Sequence, residues 1–336
     1  MEETVDTRGR KESADQDGID RRGFLECMRW AGAGLLWTIQ SGVPVSNLLA
    51  ADMKHSAMAD FCFIQISDSH IGFNKPANTD VNGTLSAAVE KINALPKQPD
   101  FIIHTGDITH LAKPGEFDTT EQILKGLRQK EVRYVPGEHD VTGDDGKEYF
   151  GRFAKDSPGT GWFSFDHKGV HFLGLNNVVQ LEGMGRLGPD QLEWAKKDLA
   201  RLSKSTPVVV FAHVPLWSVY PAWNWGTEDG EQLLSLLKPF GSITVLNGHI
   251  HQTMQKVEGN VTFHTAMSTA FPQPAPGQAA APGPMKVPAE HLRMVLGVKE
   301  INFARGRSRL AVIDSPLASM DGSEAHSTGE GAAGRL

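Results

Sequence analysis

Five apolar runs in this chain each end in a short group of aspartate, glutamate or histidine residues. The runs are apolar on both faces and alternate with segments of helical periodicity, which favours strands covered on both sides in an α/β domain. They span residues 61–66, 101–105, 132–135, 208–212 and 243–246. Binding sites in such sheets form beyond the carboxyl ends of the strands. We therefore expect the five polar groups to meet at one edge of a sheet.

The polar groups contain the residue types that bind metal ions. In chain order they are Asp68, His70, Asp107, Glu138, His139, Asp140, His213, His249 and His251. So many carboxylates and imidazoles are costly to hold close together unless a cation offsets their charge. Mixed carboxylate and imidazole ligands suit Zn, Mn or Fe, and the motifs contain no cysteine for a structural zinc site. Glycines precede Asp107, Glu138 and His249 and allow the backbone to approach closely there.

The order of the motifs resembles the calcineurin-like metallophosphoesterase family. It reads Asp-x-His, Gly-Asp, Gly-x-His-Asp, His and Gly-His-x-His, and the resemblance covers residues 61–265. It implies an α/β fold built as a four-layer α/β/β/α sandwich, with metal ions at the sheet edge. The short motif spacing and single domain are similar to the bacterial cyclic-nucleotide phosphodiesterase branch of the family.

The resemblance also implies a role for each residue. One metal ion would be bound by Asp68, His70, Asp107 and His251, and the other by Asp107, Glu138, His213 and His249. Asp107 would therefore bridge the two ions. His139 matches the catalytic histidine of the family, and Asp140 matches the acid that orients it.

Two positions depart from the family pattern. Glu138 stands where the third motif usually has asparagine. A carboxylate oxygen can ligate as an amide oxygen does, so Glu138 bears on the identity of the second metal. His110 stands three residues after Asp107, where purple acid phosphatases carry a tyrosine, so the ferric-tyrosinate type is not expected.

These roles predict a metal-dependent phosphoric ester hydrolase. A hydroxide bridging two metal ions would attack a phosphodiester or phosphomonoester of a small molecule, and His139 would assist the leaving group. The ions would be divalent or trivalent Fe, Mn or Zn, with Fe and Mn favoured. The alternative is a non-catalytic binding or scaffold protein with the same fold, which the nearly complete ligand set disfavours.

Other residues near the motifs have two interpretations. Trp217, Tyr220 and Trp223 follow His213 and either form a stacking wall for a substrate ring or pack a long loop onto the domain. The Pro-rich segment 271–290 is either a lid over the site or a solvated connector. His110 is either close to the metal ligands or an ordinary loop histidine.

The N-terminal segment 1–59 resembles a twin-arginine export signal followed by a linker. Arg21 and Arg22 precede Phe24 and Leu25, and a short apolar stretch follows over residues 30–39. This stretch is too short for a membrane span, which needs roughly 20 residues. We expect export by the twin-arginine machinery to the periplasm or the exterior, the alternative being a cytoplasmic protein with a chance arginine pair.

The remaining features limit the domain and its partners. The predicted phosphoesterase domain covers residues 60–314, and the small polar tail 315–336 is expected to be disordered. The 336-residue chain carries a net charge of −7 and no basic stripe, which disfavours nucleic-acid binding. Its two cysteines, Cys27 and Cys62, cannot form a disulfide framework.

Overall fold

The computed structural model describes residues 60–155, 157–178, 183–304 and 310–318, together with the backbone of three short strands nearer the N-terminus. The rest of the predicted signal segment 1–59, and residues 319–336 of the predicted tail, lie outside the described residues. Within the described part of the chain, no helix is both long and apolar enough to cross a membrane.

The described chain contains fourteen strands and seven α-helices. The strands are β1 (Leu35–Leu36), β2 (Thr38–Gln40), β3 (Val43–Val45), β4 (Phe61–Ile66), β5 (Phe101–His104), β6 (Val132–Tyr134), β7 (Phe163–His167), β8 (Val170–Gly174), β9 (Val208–Ala212), β10 (Ile243–Asn247), β11 (Gln255–Glu258), β12 (Val261–Thr265), β13 (Gly297–Phe303) and β14 (Ala311–Pro316). The helices are α1 (Val81–Asn93), α2 (Pro114–Leu124), α3 (Glu138–Val141), α4 (Lys147–Phe153), α5 (Pro189–Leu199), α6 (Gly230–Leu237) and α7 (Ala289–Val295). A short 3₁₀ helix covers Pro221–Trp223.

Most strands lie in two sheets. The large sheet has the order β1-β11-β12-β10-β9-β8-β7, and the small sheet has the order β14-β13-β4-β5-β6. Strands β8, β9, β10 and β12 run parallel in the large sheet, and β4, β5 and β6 run parallel in the small sheet. Five of these seven parallel strands, β4, β5, β6, β9 and β10, end in the polar motifs.

The two sheets pack face to face, with helices on both outer surfaces. Buried side chains of both sheets, among them Phe63, Phe101, Phe172 and Phe211, form the inner layer. Helices α1 and α2 cover the outer face of the small sheet, and α5 and α6 cover that of the large sheet. Each fully buried phenylalanine contributes roughly 1.5–3 kcal/mol to stability. The predicted four-layer α/β/β/α sandwich is confirmed.

Helix α1 shows how local sequence fixes one of these outer layers. The Asp80 carboxylate accepts a hydrogen bond of 2.8 Å from the backbone N–H of Gly83 and so caps the helix start. Leu85, Ala88, Val89 and Ile92 recur at helical spacing and are buried against the sheet.

The five predicted strands correspond to β4, β5, β6, β9 and β10, with ends that differ by at most one residue. The large sheet also contains two antiparallel hairpins, β7–β8 and β11–β12. The β13–β14 hairpin has no counterpart among the predicted runs, and it extends the small sheet beyond β4.

Candidate metal centre

The turns after β4, β5 and β10 have an unusual backbone conformation. Among the described residues nine non-glycine residues have a positive φ, and five of these belong to the predicted ligand set. The five are Asp68 (54°), His70 (41°), Asp107 (51°), His249 (69°) and His251 (52°). Such conformations cost on the order of 1–3 kcal/mol each and persist only where the surrounding structure fixes them. The backbone conformation at these five residues is therefore locally unfavourable, and it directs their side chains toward one region.

The first cluster contains Asp68, His70, Asp107 and His251, and one ligand atom of each lies within 4.8 Å of the others. The distance from Asp68 Oδ1 to His251 Nε2 is 3.2 Å, and that from His70 Nε2 to Asp107 Oδ2 is 3.4 Å. All four residues are at most 2% exposed. The structure therefore brings together the four residues predicted for the first metal ion.

The second cluster contains Glu138, His213 and His249. The two carboxylate oxygens of Glu138 lie 2.8 Å from His213 Nε2 and 2.9 Å from His249 Nδ1. Asp107 Oδ2 lies 3.4 Å from His213 Nε2, the same distance that separates it from His70 Nε2. A single carboxylate oxygen therefore lies between the two clusters.

The second cluster fits a cation because its buried polar atoms lack hydrogen bonds. Within the described residues, Glu138 Oε2, His213 Nε2 and His249 Nδ1 are buried and have no partner with hydrogen-bond geometry. Unpaired buried polar atoms are costly, so atoms that face one another without bonding are typical of a ligand set. The outer nitrogen of His213 donates a 2.7 Å hydrogen bond to the carbonyl of Thr105, which leaves Nε2 with a lone pair for a metal.

The protonation of these groups reflects their dense packing. Burial opposes the charged form of His213, yet the carboxylates of Asp107 and Glu138 raise its pKa well above the usual value. Burial likewise opposes ionisation of Glu138, but His249 and His213 lower its pKa well below the usual range. In both cases positive charge is needed among the carboxylates, and bound cations would supply it in place of protons.

His139 lies against both clusters. Its backbone N–H donates to Asp107 Oδ1 at 3.0 Å, and its ring nitrogen Nδ1 donates to the carbonyl of His110 at 2.7 Å. Its ring is edge-on to that of His70, with centroids 4.7 Å apart. Although burial favours the neutral form, the carboxylates of Asp107 and Glu138 raise the pKa of His139. The ring is thus held in place and favoured in its protonated state.

The carbonyl of His110 orients His139, in place of the Asp140 carboxylate that the resemblance implies. Asp140 is the third residue of α3, and its carboxylate reaches back to the N–H of Gly137 at 2.9 Å. It also accepts hydrogen bonds from the N–H groups of Ile108 and Thr109, and from the Thr109 hydroxyl. Asp140 therefore ties the turn after β5 to the third motif, and its role is in the placement of the ligands.

Glycines allow the motif backbones to approach each other, as predicted. A Cβ on Gly137 would lie 2.1 Å from Asp107 Oδ1, and one on Gly248 would lie 2.1 Å from Ser67 Oγ. Ser67 in turn donates a 2.5 Å hydrogen bond to Asp68 Oδ2. Any side chain at these two glycines would displace a predicted ligand.

A cavity of about 160 Å³ opens onto both clusters. Besides the motif residues it is lined by Phe73, Lys75, His110, Phe271, Gln273, Gly283 and Pro284. The Pro-rich segment 271–290 therefore contributes part of the wall. Gln273 fixes that part, because its amide donates to the carbonyl of His249 at 3.0 Å and accepts from the N–H of Gly283 at 3.1 Å. Sequence patterns did not identify Phe73, Lys75 or Gln273, although the first two follow the Asp-x-His motif closely.

For Trp217, Tyr220 and Trp223, the structure favours packing of the loop, the second of the two interpretations. Trp217 is 8% exposed and packs on Phe263, within the core beneath α6. Trp223 is 9% exposed and belongs with Tyr220 to a separate apolar cluster. None of the three is among the described residues that line the cavity. These large apolar rings stabilise the domain because they are removed from water.

Sequence comparison places the chain among known proteins. A profile of calcineurin-like phosphoesterases matches residues 62–253. A probable cyclic nucleotide phosphodiesterase of Psychrobacter sp. (strain PRwf-1) is 27% identical over 183 residues, which are 51% of this chain and 52% of that protein. The chain thus spans about half the length of that relative. A glycerophosphodiester phosphodiesterase of Enterobacter lignolyticus is 24% identical over 208 residues, which are 58% of this chain and 71% of that protein.

Solved structures with low sequence identity share the fold. A dimetal phosphatase from Danio rerio superposes with a TM-score of 0.55 and 14% identity, covering 77% of this chain and 97% of that one. A purple acid phosphatase from yellow lupin superposes with a TM-score of 0.56 and 13% identity, covering 76% of this chain and 51% of that one. With the sandwich, the two ligand clusters and the profile match over most of the domain, the chain belongs to the calcineurin-like phosphoesterase family of metal-dependent phosphoric ester hydrolases.

Proposed function

We propose that this protein hydrolyses small-molecule phosphate esters, with a preference for diesters, at a centre that binds two metal ions. The position of Asp107 Oδ2, 3.4 Å from a histidine nitrogen of each cluster, carries the proposal. The phosphodiesterase names of the two bacterial relatives support the diester preference. When bound, two such ions supply a hydroxide nucleophile near neutral pH and positive charge for the phosphate oxygens.

The side chains of the chain itself provide the remaining chemistry. Asp68, His70 and His251 would hold one ion, and Glu138, His213 and His249 the other, with Asp107 shared. His139 would donate a proton to the leaving oxygen, since its ring is oriented by a carbonyl and lines the cavity. Lys75 is the lysine of the described cavity wall and would attract an anionic ester.

A panel of phosphate esters tests the function directly. Metal-free protein would be reconstituted separately with Mn, Fe and Zn, and each form would be assayed against aryl and alkyl diesters and monoesters. We expect turnover that depends on added metal and is higher for diesters. Absence of turnover on every ester, despite two bound ions, would favour the alternative of a non-catalytic scaffold with this fold.

Glu138 gives the proposed centre an unusual charge. Its carboxylate faces His213 and His249 at 2.8 and 2.9 Å, which supports its proposed role as a ligand. With Asp68 and Asp107 it makes three carboxylates, and a hydroxide brings the negative charge to four, which equals that of two divalent ions. We propose that this balance favours Mn or ferric iron over zinc, and that it weakens attraction for a dianionic monoester more than for a monoanionic diester.

Glu138→Asn is therefore expected to keep both metal sites and to raise monoester turnover relative to diester turnover, on the order of tenfold. Glu138→Gln is the second test variant, because it removes the same charge and keeps the side-chain length. The ratio of kcat/KM for the two ester types, measured beside metal content, reports the effect. An unchanged ratio in both variants would show that the charge of Glu138 does not govern selectivity.

We also propose that the chain is exported by the twin-arginine machinery, on the evidence of Arg21, Arg22 and the short apolar stretch after them. Replacing both arginines by lysine should keep the protein in the cytoplasm, because this route reads the arginine pair. Cell fractionation of the two forms measures the outcome. Equal distribution of the double variant and the wild type would indicate a cytoplasmic protein or another route.

A further inference from the structure

The histidines of the first cluster differ in what holds their outer ring nitrogen. His251 Nδ1 donates a 2.6 Å hydrogen bond to the carbonyl of Phe271. A carbonyl only accepts, so this contact fixes the proton on Nδ1 and leaves Nε2 free for a metal. His213 in the second cluster has the same arrangement with Thr105. In both cases the main chain sets the tautomer, and substitution of a side chain cannot remove the contact.

The outer ring nitrogen of His70 faces a side chain and not a main-chain carbonyl. Its Nδ1 lies 3.5 Å from Nδ1 of His110, at the long end of the hydrogen-bond range, while its Nε2 faces Asp107 and His251. For Nε2 to bind a cation it must carry a lone pair, so Nδ1 must carry the proton. His110 Nδ1 then lies where it can accept a hydrogen bond from that proton.

Two aromatic contacts fix the position of the His110 ring. It lies nearly parallel to the ring of His139, with centroids 4.8 Å apart and an interplanar angle of 17°. Phe73 meets it edge-on, with centroids 5.2 Å apart and an angle of 89°. The same residue also supplies the carbonyl that accepts from His139 Nδ1. His110 thus touches a predicted ligand through its ring and orients His139 through its main chain.

We propose that His110 is a positioning residue that fixes the metal-binding tautomer of His70. It would thereby set the metal affinity of the cluster of Asp68, His70, Asp107 and His251, while the cluster of Glu138, His213 and His249 does not depend on it. The proposal rests on the two-metal centre proposed above. In this proposal the acceptor atom Nδ1 of His110 fixes the tautomer. An aromatic ring without an acceptor at that position would not fix it.

Two variants separate the acceptor from the ring. His110→Asn places an amide oxygen near the position of Nδ1 and removes the ring, whereas His110→Phe keeps the ring stacked on His139 and removes the acceptor. Mn²⁺ would be titrated calorimetrically into the metal-free full-length chain of each form. Removing such an outer partner typically lowers metal affinity 10- to 100-fold. We expect His110→Phe to weaken one of two binding steps by about that factor, and His110→Asn to bind both ions nearly as the wild type does.

The second binding step serves as an internal control for folding, since a misfolded variant would lose both. His110→Ala, which removes ring and acceptor together, should weaken the same single step as His110→Phe. Unchanged binding by His110→Phe, or equal weakening by His110→Phe and His110→Asn, would overturn the inference. A wild type that binds fewer than two ions would overturn the proposed centre itself, so the two failures are distinguishable.

Discussion

Asp107→Ala is expected to remove both metal ions and to lower turnover by more than ~10⁴-fold, because the chemistry that the ions supply is lost with them. One oxygen of this carboxylate lies 3.4 Å from His70 Nε2 and from His213 Nε2. The other oxygen accepts the N–H of His139 at 3.0 Å. Elemental analysis of the purified variant, beside ester hydrolysis, measures both effects.

Asp118→Ala provides the control for the loss of a carboxylate elsewhere. The Asp118 side chain is 67% exposed and pairs with Arg152 on the surface, so this variant should keep both ions and full turnover. Asp107→Asn gives a finer test, since it keeps the shape and removes the charge. Retention of two ions by Asp107→Ala would contradict the shared position of this residue between the clusters.

The ligand positions could be predicted from the sequence because local order determines them. Each ligand group follows a strand within a few residues, four of the five strands are fully buried, and parallel strands bring their carboxyl ends to the same edge. Asp68 and His70 after β4, and His249 and His251 after β10, are the clearest examples. The left-handed backbone at all four residues is the local feature that completes the geometry, and it is not visible in the sequence.

Contacts that depend on non-local packing could not be predicted in the same way. Gln273 lines the cavity because a main-chain carbonyl 24 residues earlier, in His249, accepts from its amide. Asp140 was expected to face the His139 ring, but as the third residue of a short helix its carboxylate is drawn to the N–H of Gly137. For the aromatic residues after His213, the sequence favoured neither substrate contact nor core packing. Trp217 lies in the core because burial of its large apolar surface stabilises the domain.

The expected effect of His139→Ala separates catalysis from metal binding. His139 lies within ligand distance of Asp107 and Glu138 but is not among the residues predicted to bind either ion, so both ions should remain. Its Nδ1 is committed to the carbonyl of His110, which leaves Nε2 as the nitrogen that can reach substrate. Although burial opposes it, Asp107 and Glu138 raise the pKa of this residue and favour the proton that a general acid needs.

His139→Ala should therefore lower turnover by about 10²–10⁴-fold on an alkyl diester, whose leaving oxygen needs a proton. The loss should be much smaller on a nitrophenyl ester, because that leaving group departs without one. The sign of the pH effect follows from the same role: wild-type turnover falls as pH rises through the His139 pKa, and the variant should lack that alkaline limb. Metal content, measured in the same samples, should stay at two ions. Equal losses on the two esters, or loss of an ion, would assign His139 to structure or to metal binding and would remove it from proton transfer.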